Sequence, residues 1–242
     1  MKILSIGNSF SDDAQRYLHE IAAAEGVEIE TLNLCIGGCS LETHASHVKD
    51  GAKAYFFHYN GDVECNDLIT LDEGIAMRDW DIVTVQQVSV KSFREDTFYP
   101  YAYEIADYVR EKLPKAKIYV HQTWAYEHGC PRVYEVTDGK GAEFMLDGIR
   151  GAYARLKREI GAEAIIPSGE LMELLYQNGA SKIYRDTFHA SYGLGRYAVG
   201  LLWYKLFTGK DVSDNSFSAL DEEVSREDLE IARRCVSSLE FI

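Results

Sequence analysis

The sequence predicts an α/β fold in which a doubly wound parallel sheet is covered by helices on both faces. Short apolar segments alternate with longer segments of helical periodicity, which is the pattern of parallel strands joined by crossover helices. Glycines and polar residues directly follow several of the apolar segments, at the sheet edge where such folds bind ligands. The 242 residues are enough for one well-packed domain spanning 1–242.

Five apolar segments rich in β-forming residues predict the core strands, at 3–6, 27–35, 80–87, 117–122 and 163–166. Helical periodicity predicts helices at 14–22, 41–48, 101–113, 144–160, 170–177, 194–207 and 226–236. Asn60-Gly61 is a strong turn signal and predicts a small β-hairpin inserted at about 53–71 and lying over the sheet. The polar segment 211–242 predicts a tail with one helix.

The composition excludes several classes of partner. Asp and Glu number 39 against 25 Lys and Arg, so the net charge of −14 repels nucleic acid and anionic membranes and favours a neutral over a polyanionic substrate. No apolar segment approaches the ~18 residues of a membrane span. The five scattered cysteines and the absence of an N-terminal apolar leader indicate reduced thiols, so we expect a cytoplasmic protein. The composition leaves homo-oligomerisation open.

Ser9 follows the first predicted strand and lies beside the start of the first helix. Backbone N–H groups at such a turn suit an oxyanion or a phosphate, so Ser9 is either a nucleophile or a phosphate ligand. A serine hydroxyl becomes a nucleophile only beside a base. Of the seven histidines, His189 has the most suitable context, because Asp186 can fold back onto its Nδ1–H.

Other polar groups are expected at the same sheet edge. Gly37-Gly38 follows the second strand and lets the backbone approach a ligand closely. Gln86 and Gln87 end the third strand. Each feature alone also has a purely structural explanation, such as a turn, a strand-end hydrogen bond or a helix cap, for which Ser11 is the better candidate than Ser9.

Taken together and in this order, the segments resemble the SGNH hydrolase superfamily of GDSL-like esterases. Gly7-Asn8-Ser9-Phe10-Ser11 is similar to its first block, with Asn8 in place of the usual aspartate. Gly38 matches the glycine of the second block, and residues 186–189 match the last block, Asp-x-x-His. A subgroup with Gly-Asn-Ser-Phe-Ser also shares the segments 37–42 and 189–197.

The resemblance implies a flavodoxin-like, five-stranded parallel sheet and a serine esterase that needs no cofactor and no metal. Ser9 would be the nucleophile, His189 the base and Asp186 its orienting carboxylate. The N–H groups of Ser9 and Gly38 would bind the oxyanion. The third block departs from the usual Gly-x-Asn-Asp, and a glutamine amide is expected to replace its asparagine, with Gln86 favoured and Gln87 as the second choice.

Asn8 and Trp124 are expected to contact the substrate. That substrate is an ester of a small molecule or an oligosaccharide, with O-acetylated carbohydrate favoured. Two alternatives stay open: a lipase- or thioesterase-type acyl hydrolase, and a non-catalytic module that binds a sugar or a phosphate in the same cleft. All of these interpretations require that Ser9 and His189 are neighbours across one crevice.

Overall fold

The computed structural model describes residues 1–65 and 67–241. Asn66, in the predicted hairpin, and Ile242, at the end of the predicted tail, lie outside the described residues. The strands are β1 (Lys2–Gly7), β2 (Glu30–Cys35), β3 (Tyr55–Tyr59), β4 (Leu68–Ile69), β5 (Ile82–Val85), β6 (Lys117–His121) and β7 (Ile165–Ile166). The helices are α1 (Ser9–Gln15), α2 (Leu18–Ala24), α3 (Leu41–Asp50), α4 (Leu71–Ala76), α5 (Tyr101–Lys112), α6 (Pro131–Val136), α7 (Ala142–Glu159), α8 (Ser168–Gln177), α9 (Leu194–Thr208) and α10 (Arg226–Ser238).

The described strands form one sheet in the order β4-β3-β2-β1-β5-β6-β7. Five of them are parallel, as expected, but β3 runs antiparallel to β2 and β4 antiparallel to β3. The predicted count of five strands is therefore wrong, and the hairpin extends the sheet in its plane instead of lying over it. Pairing explains the difference, because β2 would otherwise be an edge strand with a row of unpaired backbone groups.

The register of the central strands places the functional loops side by side. Gly7 of β1 lies opposite Cys35 of β2, and Ile6 lies opposite Val85 of β5. The segments that follow these three strands therefore leave the sheet at the same level. The chain builds the sheet outward from β1 in both directions, so Ser9 lies at the topological switch point, where such sheets bind ligands.

Successive side chains of β1 point to opposite faces of the sheet and so belong to two separate layers of the core. Leu4 and Ile6 belong to the apolar cluster under α3, α5 and α7, whereas Ile3 belongs to the cluster under α1, α8 and α9. The predicted long apolar helix is confirmed as α9, which ends at Gly209 with a left-handed φ of 68°. Because α9 packs along α1, it brings the C-terminal third of the chain next to the first turn of α1.

None of the helices within residues 1–65 and 67–241 is long and apolar enough to cross a membrane. All five cysteines are free thiols, and four of them are buried.

Candidate active site

Ser9 is the first residue of α1, directly after the turn that ends β1. Asn8 caps the helix: its backbone is extended, and its Oδ1 accepts from the Phe10 N–H at 3.0 Å. The prediction that Ser11 is the better cap is wrong, because the Ser11 hydroxyl is buried and donates to Gln86 Oε1 at 2.6 Å. Ser9 keeps a partly exposed hydroxyl at the carboxyl edge of the sheet.

The structure brings Ser9, His189 and Asp186 together across 180 residues of chain. His189 Nε2 lies 2.8 Å from Ser9 Oγ, and His189 Nδ1 lies 2.7 Å from Asp186 Oδ2. A carboxylate only accepts hydrogen bonds, so Nδ1 carries the proton and Nε2 presents its lone pair to the serine hydroxyl. Partial burial acts to raise the pKa of Asp186, but the hydrogen bonds from His189 outweigh it and hold that pKa below its usual value.

The Asp-x-x-His loop is held in a strained conformation. Thr187 has a φ of 75°, which is unfavourable for a β-branched residue. Its carbonyl accepts from the Glu127 N–H at 2.7 Å, and the Phe188 carbonyl accepts from Trp124 Nε1 at 2.7 Å. Strain of this kind persists only where the surroundings over-determine the backbone, and here it turns Asp186 back onto His189.

Asp13 joins α1 to the chain on both sides of His189. Its carboxylate is fully buried, and its Oδ1 accepts from Arg185 at 2.7 Å and from Arg196 at 2.9 Å. Its Oδ2 accepts from the Ala190 N–H at 3.1 Å. Burial raises the pKa of Asp13, and the two guanidinium groups oppose that rise. The motifs do not single out Asp13, although its position three residues after Phe10 and four before Tyr17, both of which are buried, is a signal of an inward-facing position.

A chain of buried hydrogen bonds runs under the serine from α1 to β6. Asn8 Oδ1 accepts from Gln86 Nε2 at 2.5 Å, and Gln86 Oε1 lies 2.6 Å from His121 Nδ1. The orientation of the chain follows from its ends: Asn8 must turn its oxygen to the Phe10 N–H and its nitrogen to the Cys39 carbonyl. Gln86 Oε1 then accepts, so His121 Nδ1 donates. Burial lowers the pKa of His121 to about 3 and keeps it neutral.

The two glutamines are both fully buried and both turned inward. Gln86 donates to Asn8, whereas Gln87 Nε2 donates to the Thr97 carbonyl at 3.0 Å and Gln87 Oε1 accepts from the Leu41 N–H at 3.0 Å. The expectation that one of these amides faces the oxyanion does not agree with this placement. Strand parity could not reveal it, because β5 ends at Val85 and both glutamine side chains, which follow it, enter the protein interior.

Gly38 occupies a turn that needs its conformational freedom. Its φ is +64°, and the turn closes through the Cys39 N–H, which donates to the Ile36 carbonyl at 3.1 Å. Asn8 Nδ2 donates to the Cys39 carbonyl at 3.1 Å and so joins this turn to the start of α1. Among the described residues, neither the Ser9 N–H nor the Gly38 N–H has an acceptor. Both remain available for an oxyanion.

Asn8 and Trp124 are buried, in contrast to the expectation that they bind substrate. Asn8 is 1% exposed and Trp124 is 0% exposed. Trp124 stacks on Phe10 with ring centroids 4.3 Å apart, and its indole N–H is used by the Phe188 carbonyl. Both side chains support the residues that surround Ser9 instead of reaching into the crevice.

Replacing Asn8 with aspartate, the usual residue of the SGNH first block, should lower kcat about 10²-fold with little change in KM. A carboxylate retains the cap but places an acceptor against the Cys39 carbonyl, so the Gly38 turn moves away from Ser9. Steady-state kinetics would measure the effect. The Asn8→Ala variant serves as a comparison, because it loses the helix cap without adding a repulsion against the Cys39 carbonyl. An unchanged kcat in Asn8→Asp would contradict the role of the contact between Asn8 and the Cys39 carbonyl.

The hairpin also supports α1. Asp12 Oδ1 accepts from His58 Nδ1 of β3 at 2.7 Å, and Asp12 Oδ2 accepts from the Cys35 thiol at 3.2 Å. The three ligand-type atoms of these residues lie within 4.8 Å of one another. Hydrogen bonds among them, and a third from Asn33 at 2.7 Å, satisfy the Asp12 carboxylate. This cluster joins β2 and β3 to α1 one turn after Ser9.

Comparison with known proteins identifies the family and the fold of the chain. The family described as a domain of unknown function, DUF4886, matches residues 2–238. A DUF4886 family protein from Bacteroides uniformis has a crystal structure with a TM-score of 0.91 and 30% identity, over 98% of this chain and 93% of that chain. No curated protein sequence matches.

More distant structures share the fold. A protein from Slackia heliotrinireducens assigned to the SGNH hydrolases has a TM-score of 0.61 and 20% identity, over 86% of this chain and 98% of that one. A family 3 carbohydrate esterase from Clostridium thermocellum has a TM-score of 0.50 and 13% identity, over 85% of this chain and 94% of that one. The resemblance inferred from the motifs is thus confirmed at the level of the fold: the chain belongs to the DUF4886 family and has the fold of the SGNH hydrolases.

Proposed function

We propose that the protein is a serine esterase that removes small acyl groups, in particular acetyl groups from carbohydrate. The observation that carries the proposal is the series of hydrogen bonds from Asp186 through His189 to Ser9, at 2.7 and 2.8 Å. This arrangement gives the serine a base of the correct tautomer, at the sheet edge where the SGNH fold binds ligands.

The reaction would proceed in two steps. Ser9 Oγ attacks the ester carbonyl while His189 Nε2 takes the hydroxyl proton and then gives it to the leaving alcohol. The resulting acyl-enzyme is hydrolysed by a water molecule that His189 activates in the same way. The Ser9 and Gly38 N–H groups stabilise the tetrahedral oxyanion, and Asp186 stabilises the imidazolium.

The packing around Ser9 and His189 favours a small acyl group. Phe10 and Trp124 are both buried, and their stacked rings fill the space beneath the His189 loop, where a lipase would need an apolar acyl channel. A large cavity, of about 750 Å³, is lined by Met1, Trp80 and Lys117 and lies at the amino ends of the strands, opposite Ser9. A carbohydrate esterase and a GDSL-like lipase both share the fold, so the packing around Ser9 and not the fold carries this choice of substrate.

One observation favours a non-catalytic binding module instead, since Gln86 and Gln87 turn inward and leave only two backbone donors for an oxyanion. A fluorophosphonate probe distinguishes the two functions, because it phosphonylates only an activated serine. We expect mass spectrometry to find the adduct on the peptide containing Ser9 in folded protein and not in urea-unfolded protein. Absence of the adduct from the folded protein would favour the binding module.

A series of 4-nitrophenyl esters tests the acyl group. We expect kcat/KM to be highest for the acetate and at least about tenfold lower for the octanoate, because Phe10 and Trp124 occupy the space beneath the His189 loop that a long acyl chain would need. Acetate release from acetylated xylan tests the alcohol part. A rate that increases with chain length would contradict the acetylesterase and indicate the lipase-type alternative.

A further inference from the structure

Arg132 lies one aromatic ring away from His189. It is the second residue of α6, and its guanidinium carbon lies 4.1 Å from the centroid of the Phe188 ring and 5.4 Å from that of Tyr126. The Phe188 ring centroid in turn lies 4.0 Å from that of the His189 imidazole. The aromatic stack holds a positive charge one ring away from the His189 imidazole, because a guanidinium binds well to an aromatic face.

Arg132 has no acidic partner in the part of the chain that the structure describes. No described carboxylate oxygen lies within 4.0 Å of its guanidinium, although the sequence contains 39 acidic residues against 25 basic ones. The other two arginines near the dyad differ, because Arg185 and Arg196 both donate to the buried Asp13. The N–H groups of Arg132 are therefore available to a ligand, and the stack has already removed part of the side-chain entropy that binding would cost.

We infer that Arg132 binds a carboxylate on the alcohol part of the substrate, so that the protein prefers acetyl esters of a sugar acid to those of a neutral sugar. A planar guanidinium recognises a carboxylate through two parallel hydrogen bonds. The net charge of −14 disfavours phosphates and other polyanions, whereas a single carboxylate adds little to that repulsion. This inference rests on the proposed esterase function and adds the class of alcohol to it.

The test compares two monoacetylated substrates that differ only at C6, methyl glucuronoside with a carboxylate there and methyl glucoside with a hydroxymethyl group, both acetylated at the same hydroxyl. We expect Arg132→Gln to lower kcat/KM for the acidic substrate by about tenfold or more and to change that for the neutral substrate less than twofold. Arg132→Lys keeps the charge but loses the planar fork, so it should fall between the wild type and Arg132→Gln. The effect should appear mainly in KM.

Arg94 offers a matched control. It is also exposed, its guanidinium carbon lies 6.0 Å from the centroid of the Phe93 ring, and no described carboxylate lies within 4.0 Å of it. Phe93 contacts Phe144 and not His189, so Arg94→Gln should leave the ratio of the two kcat/KM values unchanged.

The outcomes separate the two proposals. If the wild type hydrolyses neither acetylated sugar and no simple acetate ester, the esterase itself is rejected. If it hydrolyses both sugars and Arg132→Gln lowers both rates equally, Arg132 only supports the Phe188 loop and the inference is wrong. If Arg132→Gln changes neither kcat/KM value, and so leaves the ratio of the acidic to the neutral substrate unchanged, the inference about Arg132 is likewise wrong.

Discussion

Replacing Ser9 with alanine should abolish ester hydrolysis, with kcat lowered by about 10⁶-fold. The substitution removes the only hydroxyl that lies within hydrogen-bonding distance of His189 Nε2 among the described residues, so no acyl-enzyme can form. The fold should be unaffected, because Asn8 caps α1 and Ser9 is partly exposed. Initial rates with 4-nitrophenyl acetate, together with thermal unfolding, would measure both effects.

Ser46→Ala is a suitable control for Ser9→Ala, since Ser46 is an exposed serine of α3 outside the site. It should retain full activity. If Ser9→Ala keeps more than a small fraction of the wild-type rate while remaining folded, Ser9 is not the nucleophile. The proposed function would then be wrong, and the binding module would be the better interpretation.

Replacing Asp13 with asparagine should give a large loss of stability, about 3–5 kcal/mol in the free energy of unfolding. The Asp13 carboxylate is fully buried, and its removal leaves the partly buried guanidinium groups of Arg185 and Arg196 without their shared partner. Urea unfolding of the wild type and the variant would measure the difference. Activity should fall as well, because the same carboxylate positions the loop that carries His189 over Ser9.

Asp147→Asn is the matched control for Asp13→Asn. Asp147 also accepts from an arginine, Arg150 at 2.8 Å, but its side chain is 74% exposed. Ion pairs of this kind contribute less than about 1 kcal/mol, so the control should be nearly neutral. Similar small losses in both variants would contradict the view that Asp13 holds the two ends of the site together.

Much of the candidate site could be predicted because most of its residues lie in short sequence motifs. The apolar run before Gly7 and the periodic residues after Ser9 are enough to place a serine between a strand and a helix. Asp186 and His189 are three residues apart, so their contact needs only a tight loop. The proximity of Ser9 and His189 is a requirement of the esterase hypothesis that local spacing does not supply, and the packing of α9 along α1 provides it.

The features that sequence reasoning missed depend on partners far along the chain. Gln86 decides whether Asn8 or Ser11 caps α1, because the Ser11 hydroxyl donates its hydrogen bond to Gln86 Oε1. The direction of the Gln86 and Gln87 side chains depends on their acceptors, Asn8 Oδ1 for Gln86 and the Thr97 carbonyl for Gln87. No local pattern contains this information, since each choice reflects which buried polar group would otherwise lack a hydrogen bond.

The sequence by itself determined the alternating α/β architecture, the placement of Ser9 after the first strand, and the Asp-x-x-His loop, because periodicity and short-range spacing act within a few residues. Only the tertiary structure decided that the hairpin adds two strands to the edge of the sheet, that Asp13 holds the loop carrying His189 against α1, and that Gln86 and Gln87 face inward. The physical reason is that these outcomes follow from pairing an exposed strand edge and from satisfying buried charges and amides, and the partners meet only after the chain has folded.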